Sequence, residues 1–209
     1  MIGDEVAARN FVAELSGSEA IERLELLIHE LIEENRKQNL ISRPSEEQVW
    51  QRHIADSAQL LKFVPRETEG PWLDLGTGAG FPGLVIAAII PQMPVILVES
   101  RMRRVEWLER MTALLKLPNC RVEGKRLEQV EPFEARVISA RAFAPLPKLL
   151  RLSAPFSTRM TTHLLPKGRS AAQELAQMPA RIRKMFHVEQ SLTDPDAGII
   201  VSKPPKSGG

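Results

Sequence analysis

Tyrosine is absent from the 209 residues, and phenylalanine and tryptophan together supply only 5% of the chain. A single cysteine, Cys120, leaves nothing from which to build a disulfide framework or a cysteine-ligated zinc cluster, and points to a reducing compartment. No structural staple is needed, because a chain this long buries roughly 70% of its unfolded surface. The opening MIGDEVAARN has acids where a secretory leader carries positive charge followed by an apolar run. The longest uncharged stretch, Leu75 to Val98, runs for 24 residues, but Gly76, Gly78, Gly80, Pro82, Gly83, Pro91 and Pro94 interrupt it. It reads as loop, helix and strand inside a core, so no membrane span, no metal centre and a cytoplasmic location are expected.

What is present is unevenly distributed. Residues 1 to 70 hold eight Lys/Arg against 14 Asp/Glu, whereas the remainder holds 20 against 12, so an acidic piece precedes a basic body. That division suits an anionic macromolecule such as nucleic acid, and equally suits a solvated basic face.

Two sequence regimes follow one another. Up to about Val64 the pattern is helical: Ile21, Leu24, Ile28 and Leu31, with Leu27 and Ile32, form a stripe opposed by Glu22, Glu25, Glu33 and Glu34. Ser45 to Gln48 has the form of a capping box opening a further helix. After Pro65, short apolar runs alternate with helical stretches. Strands are expected at 72–75, 95–99, 120–123, 136–140 and 160–166, with helices near 82–90, 102–116, 147–154 and 170–177, the last opened by a second capping box at Ser170. Two final strands, 182–189 and 199–201, joined by the turn Thr193-Asp194-Pro195-Asp196, would add an antiparallel hairpin. The expectation is an α/β protein: a helical extension over 1–64, a Rossmann-like doubly wound, mostly parallel sheet over 65–203, and a flexible tail over 204–209.

Residues 74 to 83 read DLGTGAGFPG, between a strand and a helix. Glycines at 76, 78 and 80 permit a tight turn and a close backbone approach to a ligand at the helix start. A dinucleotide fingerprint would place its third glycine at position 81, where bulky Phe81 stands, and no Gly-Lys-Ser/Thr ending is present for a phosphate loop. An acid ahead of such a loop, Asp74, resembles the class I S-adenosylmethionine (SAM) methyltransferases, in which a carboxylate near the loop can receive the cofactor's amine. Glu99 ends the next strand 21 residues beyond Gly78, where an acid can accept both ribose hydroxyls. Each acid also has a plain structural reading, Asp74 as a turn or helix cap and Glu99 as a charge at the next helix start.

Absences then narrow the chemistry. The loop after the fourth strand, SARAFAPLP, lacks the Pro-Pro-aromatic signature common in exocyclic-amine methylation, and Cys120 at a strand start is a poor candidate for the thiolate of pyrimidine carbon-5 methylation. Transfer to a ring nitrogen or to a base-activated oxygen remains. A small-molecule methyltransferase and an RNA-binding assembly protein with a vestigial cofactor loop stand as rival readings.

Taken together, Asn39-Leu40-Ile41-Ser42, Arg52-His53-Ile54-Ala55-Asp56-Ser57, DLGTGAGFPG, Ser139-Ala140-Arg141-Ala142-Phe143-Ala144 and Leu165-Pro166-Lys167-Gly168 make the chain similar to the RsmG (GidB) family over roughly residues 20 to 203. The resemblance implies a bacterial SAM-dependent methyltransferase for guanine N7 in 16S ribosomal RNA, acting on that RNA or on the small ribosomal subunit; a monomer is a separate expectation. It implies cofactor contacts from Gly76, Phe81, Leu127, Glu128 and Arg141, alongside Asp74, Gly78 and Glu99. Arg141, Arg126 and Lys167 are the expected catalytic-edge residues, the last two as contacts for the guanine or its phosphates. Arg101, Arg103 and Arg104 form a further expected RNA contact. Two departures stand out: many members have Arg or His where this chain has Ala197-Gly198, and the usual aromatics before Asn39 are missing.

Overall fold

The computed structural model describes residues 1–202; the expected tail at 204–209 lies outside them, as does Lys203. The chain opens with helices α1 (Glu5–Leu15) and α2 (Ser18–Asn35). Asp4 starts α1 by accepting Ala7 N–H at 2.7 Å. Leu24, Leu27 and Leu31 bury the expected stripe of α2. Glu34, assigned to the outer face, is instead buried, because Arg110 reaches it at 2.6 Å from α5 (Met102–Leu114). Burial pushes the Glu34 carboxyl upward, but the hydrogen bonds of Arg110 and Gln38 outweigh it and leave the group below its ordinary value.

The second expected helix is not one regular α-helix. A 3-10 segment (Arg43–Gln48), a π-helical turn (Trp50–Ala55), a short α3 (Asp56–Ala58) and a second 3-10 segment (Gln59–Phe63) follow one another. Ser45 caps nothing; its hydroxyl donates to Ser42 O at 2.7 Å. The π turn is capped from outside, with Glu5 of α1 accepting Trp50 N–H at 3.0 Å and Gln51 N–H at 2.8 Å.

Beyond residue 70 come β1 (Trp72–Leu75), α4 (Gly83–Ile89), β2 (Val95–Val98), α5, β3 (Cys120–Glu123), β4 (Val137–Ser139), α6 (Leu146–Ser153), β5 (Thr162–Gly168), α7 (Ala171–Ala176), α8 (Ala180–Arg183), β6 (Phe186–Gln190) and β7 (Gly198–Ser202). The sheet order is β3-β2-β1-β4-β5-β7-β6, parallel from β3 to β5 and antiparallel at β7 and β6. Residues 182–183 are helical rather than extended, because Pro179 O accepts Ile182 N–H at 2.9 Å and opens a turn there.

Alternation along the strands divides the core into two layers. Trp72, Val95, Leu97, Val137 and Leu164 face α2, α4 and α5 together with the N-terminal helices, while Leu73, Leu75, Ile96, Val98 and Ile138 face Leu146, Leu149 and Phe156. The helical extension therefore shares one hydrophobic layer with the sheet. No helix among the described residues is long and apolar enough to cross a membrane.

Candidate functional site

Strand order reverses at β1, which lies between β2 and β4, and the carboxyl ends of these strands open onto a crevice of the kind where α/β sheets bind ligands. Two clefts occupy it. The smaller, about 370 Å³, is bordered by Gly76, Glu99, Arg126, Leu127 and Glu128, and the larger, about 900 Å³, by Ser45, His53, Asp56, Arg141 and Lys167. Both volumes suit small ligands. Ala142, Phe143 and Ala144 border both.

Asp74 shapes the glycine loop from beneath. It is completely buried; its carboxylate accepts Thr77 Oγ1–H, Gly83 N–H at 3.0 Å and Ser139 Oγ–H at 2.7 Å, and Trp72 Nε1–H in turn donates to Ser139 at 2.7 Å. Burial pushes the Asp74 carboxyl above its ordinary value against those hydrogen bonds. None of its oxygens borders either cleft, so the expected salt link from Asp74 to a bound amine is corrected to an internal brace for the loop. The brace requires glycine at 83, where an added Cβ would fall 2.1 Å from Leu97 Cδ2 and 2.9 Å from Asp74 Oδ2. Gly76 has φ +62°, and a Cβ there would fall 2.4 Å from the Phe143 ring.

Glu99 fulfils its structural reading and retains room for more. One oxygen accepts Ser100 N–H at 2.7 Å and Arg101 N–H at 2.9 Å; the other takes Gly78 N–H at 3.2 Å and lies 3.8 Å from Arg104. This carboxylate supplies negative charge to Arg104, one of three cations at the start of α5. Arg101 and Arg103 remain exposed, with no ion-pair partner among the described residues. Leu127 is buried in the wall of the small cleft, whereas Glu128 and Arg126 are exposed on its rim.

The larger cleft contains a polar knot. The Arg141 guanidinium lies 5.3 Å over the Phe81 ring, donates to Arg52 O at 3.3 Å and to His53 Nδ1 at 3.2 Å, and meets Asp56 at 3.5 Å. Because Nδ1 of His53 accepts, Nε2 carries the proton and donates to Ser45 Oγ at 2.9 Å. Burial, with the positive charges of Arg141 and Arg52, pulls the imidazole down to about 3, so it is neutral at physiological pH. Its ring stacks on Phe81 at 5.1 Å. Asp56 also accepts Thr193 Oγ1–H at 2.8 Å, and Arg52 pairs with Asp194 at 3.1 Å, which ties the π turn to the loop before β7. Ala197 and Gly198, which replace a cation usual in the resembling family, border this cleft.

Three expectations shift. Arg141 and Phe81, expected against the cofactor, belong with His53: Arg141 borders only the larger cleft, and Phe81, 2% exposed, lies beneath the knot and borders neither. Lys167, expected to meet guanine or phosphate, has an 8% exposed side chain committed to Ala144 O at 2.7 Å and Glu174 at 3.0 Å. Ser170 does not cap α7 but donates to Glu174 at 2.8 Å. Phe143, Ser139 and Glu174 were not singled out by sequence reasoning. The first two sit in the SARAFAPLP neighbourhood that carried the resemblance, while Glu174 had no signal beyond helical charge.

Comparison with known proteins is concordant. A model of the GidB family, described as rRNA small subunit methyltransferase G, matches residues 20–197. The ribosomal RNA small subunit methyltransferase G of Erythrobacter litoralis is 62% identical, covering 97% of this chain and 98% of its own. That of Novosphingobium aromaticivorans is 57% identical, covering 88% and 80%. Among solved structures, a SAM-dependent methyltransferase from Aquifex aeolicus superposes with a TM-score of 0.56 at 14% identity, covering 74% of this chain and 90% of that one, a likeness of fold.

Proposed function

The chain belongs to the GidB family, rRNA small subunit methyltransferase G, and on that premise we propose that it transfers a methyl group from SAM to N7 of a guanine in small-subunit ribosomal RNA. The observation that carries this reading is the pair of clefts at the β1/β4 switch point, separated by the three residues 142–144. The smaller cleft fits the cofactor by its donor set. Glu99 has acceptor capacity left for ribose hydroxyls and would repel a phosphate, Gly76 brings bare backbone to the surface, and Leu127 offers an apolar wall. When bound, SAM supplies an electrophilic methyl group on a positively charged sulfur.

Guanine N7 has a lone pair and carries no proton, so the chain need supply no general base; its task is placement and charge. In the larger cleft, Arg141 presents N–H donors to a purine oxygen. Formation of the N7–methyl bond would accompany cleavage of the methyl–sulfur bond, leaving a neutral thioether and a purine that carries the positive charge. Asp56 beside Arg141 offsets the guanidinium, and neutral His53 adds no second cation, so the charged product meets little repulsion. Because N7 faces the deep, narrow major groove of A-form RNA, the guanine must be unstacked to reach a cleft of this kind. A ribosomal substrate supports a cytoplasmic location.

The test is transfer of labelled methyl from SAM to naked rRNA and to small-subunit particles from cells lacking the protein, with the base identified by mass spectrometry. A 7-methylguanine at one position is expected. SAM binding without transfer to either substrate would overturn the reading in favour of a small-molecule acceptor.

A further inference from the structure

The partition between the clefts is held by a side-chain clamp at the border of the larger one. Pairing of β4 with β5 ends at Ser139 and Leu164, and beyond that point the β4–α6 loop and the end of β5 diverge. Within the loop, Ala142 has φ +53°, a left-handed conformation that costs a non-glycine residue energy and persists only where the surroundings enforce it. The Phe143 ring rests against Gly76 at the mouth of the small cleft.

The loop that follows Ala142 is held from across the gap. At the end of β5 the register against β7 shifts between Pro166 and Gly168, a bulge of the kind that re-aims side chains beside active sites. Lys167 sits in it, and its ammonium donates to Ala144 O at 2.7 Å. Glu174 of α7 completes the clamp, pairing with Lys167 at 3.0 Å and accepting Leu146 N–H at 3.1 Å, one of the free N–H groups at the start of α6. Two points of the loop, the Ala144 carbonyl and the Leu146 amide, are thus fixed to β5 and α7 by one ion pair. Although burial works the other way, hydrogen bonds from Ser170 and Lys167 keep the Glu174 carboxyl below its ordinary value, so Glu174 stays ionised at neutral pH.

We infer that Glu174, acting through Lys167 and the Leu146 amide, is a positioning residue for methyl transfer: it fixes the 142–144 partition across which methyl donor and acceptor must meet. The inference rests on the methyltransferase reading above. A displacement of about 1 Å between reacting groups costs on the order of a hundredfold in rate.

The experiment compares wild type with Glu174→Gln in labelled-methyl transfer to small-subunit particles. SAM affinity is measured in parallel by calorimetry, and folding by thermal melting. The variant is expected to lose about tenfold to a hundredfold in kcat, with KM for the particle and Kd for SAM within about threefold of wild type. A wild-type kcat in Glu174→Gln overturns the inference; so does a loss confined to KM or to SAM affinity. Should Glu174→Gln melt below the assay temperature, Lys167→Met carries the test, because it removes the donor to Ala144 O while Glu174 keeps Leu146. Loss of kcat at preserved SAM affinity supports the clamp, and unchanged kcat overturns it. Absence of transfer by the wild type itself would count against the methyltransferase reading instead, so the two failures are distinguishable.

Discussion

At the scale of the residue, identical side-chain types acquire different roles from their surroundings. Asp74, inside β1, and Glu99, directly after β2, both flank one glycine loop. Asp74 is sealed under three donors, whereas Glu99 holds the Ser100 and Arg101 amides just ahead of α5 and borders the small cleft. Arg141 and Lys167 are both cations at the sheet edge. Arg141 presents a stacked fork to the larger cleft, and Lys167 is spent on a carbonyl and a carboxylate. The fork geometry makes Arg141 irreplaceable by lysine, which cannot bond His53 and Asp56 while stacking on Phe81. Arg141→Lys is expected to lower kcat/KM for methyl transfer by about a hundredfold. Steady-state rates on small-subunit particles check this, and a near wild-type rate would show that charge alone suffices. Since His53 and Asp56 lie outside the proton inventory of the reaction, the rate should also show no steep dependence on the titration of one side chain.

At the scale of the element, α5 has an unusual start. Arg101, Arg103 and Arg104 gather where the helix dipole disfavours cations, and Glu99 compensates Arg104 alone among the described residues. The exposed pair Arg101 and Arg103 is expected to meet phosphates. Reversal of both, Arg101→Glu with Arg103→Glu, should weaken RNA binding and flatten the dependence of log K on log salt by roughly 0.7 to 0.9 for each phosphate no longer neutralised. Filter binding across a salt series measures this, and an unchanged slope would remove the two arginines from the interface. The segment from residue 43 to 63 shows a different lesson. Its helical composition was plain, but the succession of 3-10, π and α turns was not, because it depends on Glu5 arriving from α1 to cap the π turn. That turn places Arg52, His53 and Asp56 around Arg141.

At the scale of the whole molecule, two buried histidines link stability to pH. Burial lowers His53 to about 3, with help from Arg141 and Arg52, and lowers His163 to about 4, both from an ordinary 6.5. The unfolded chain therefore binds protons that the folded chain refuses as pH falls below 6.5. Stability should fall with pH across that window, by about 1.4 kcal/mol per unit for each histidine where the two states differ fully. Glu34 and Glu174, whose carboxyls lie below their ordinary value when folded, add loss of the same sign at lower pH, since each contributes above its unfolded value. Urea denaturation at several pH values between 7.5 and 4.5 tests this, as approximate bounds of the titration range. His163→Gln should reduce the slope by about half, and a slope equal to wild type would assign the linkage elsewhere.

The strand–helix alternation, the glycine loop, the antiparallel finish and the family resemblance were all legible along the chain, because each rests on residues a few positions apart and on patterns of period two or 3.6. Gly76, Glu99, Leu127 and Glu128 border the small cleft for the same reason: their places follow from strand ends and loop spacing. What tertiary structure decided was the ionisation and aim of individual side chains. Asp74 meets Ser139 across 65 residues, Arg141 meets His53 across 88, and Lys167 meets Ala144 across 23. Whether a carboxylate is sealed or open, or a lysine free or spent, depends on desolvation and on partners from distant segments, and these exist only once the sheet has brought the segments together.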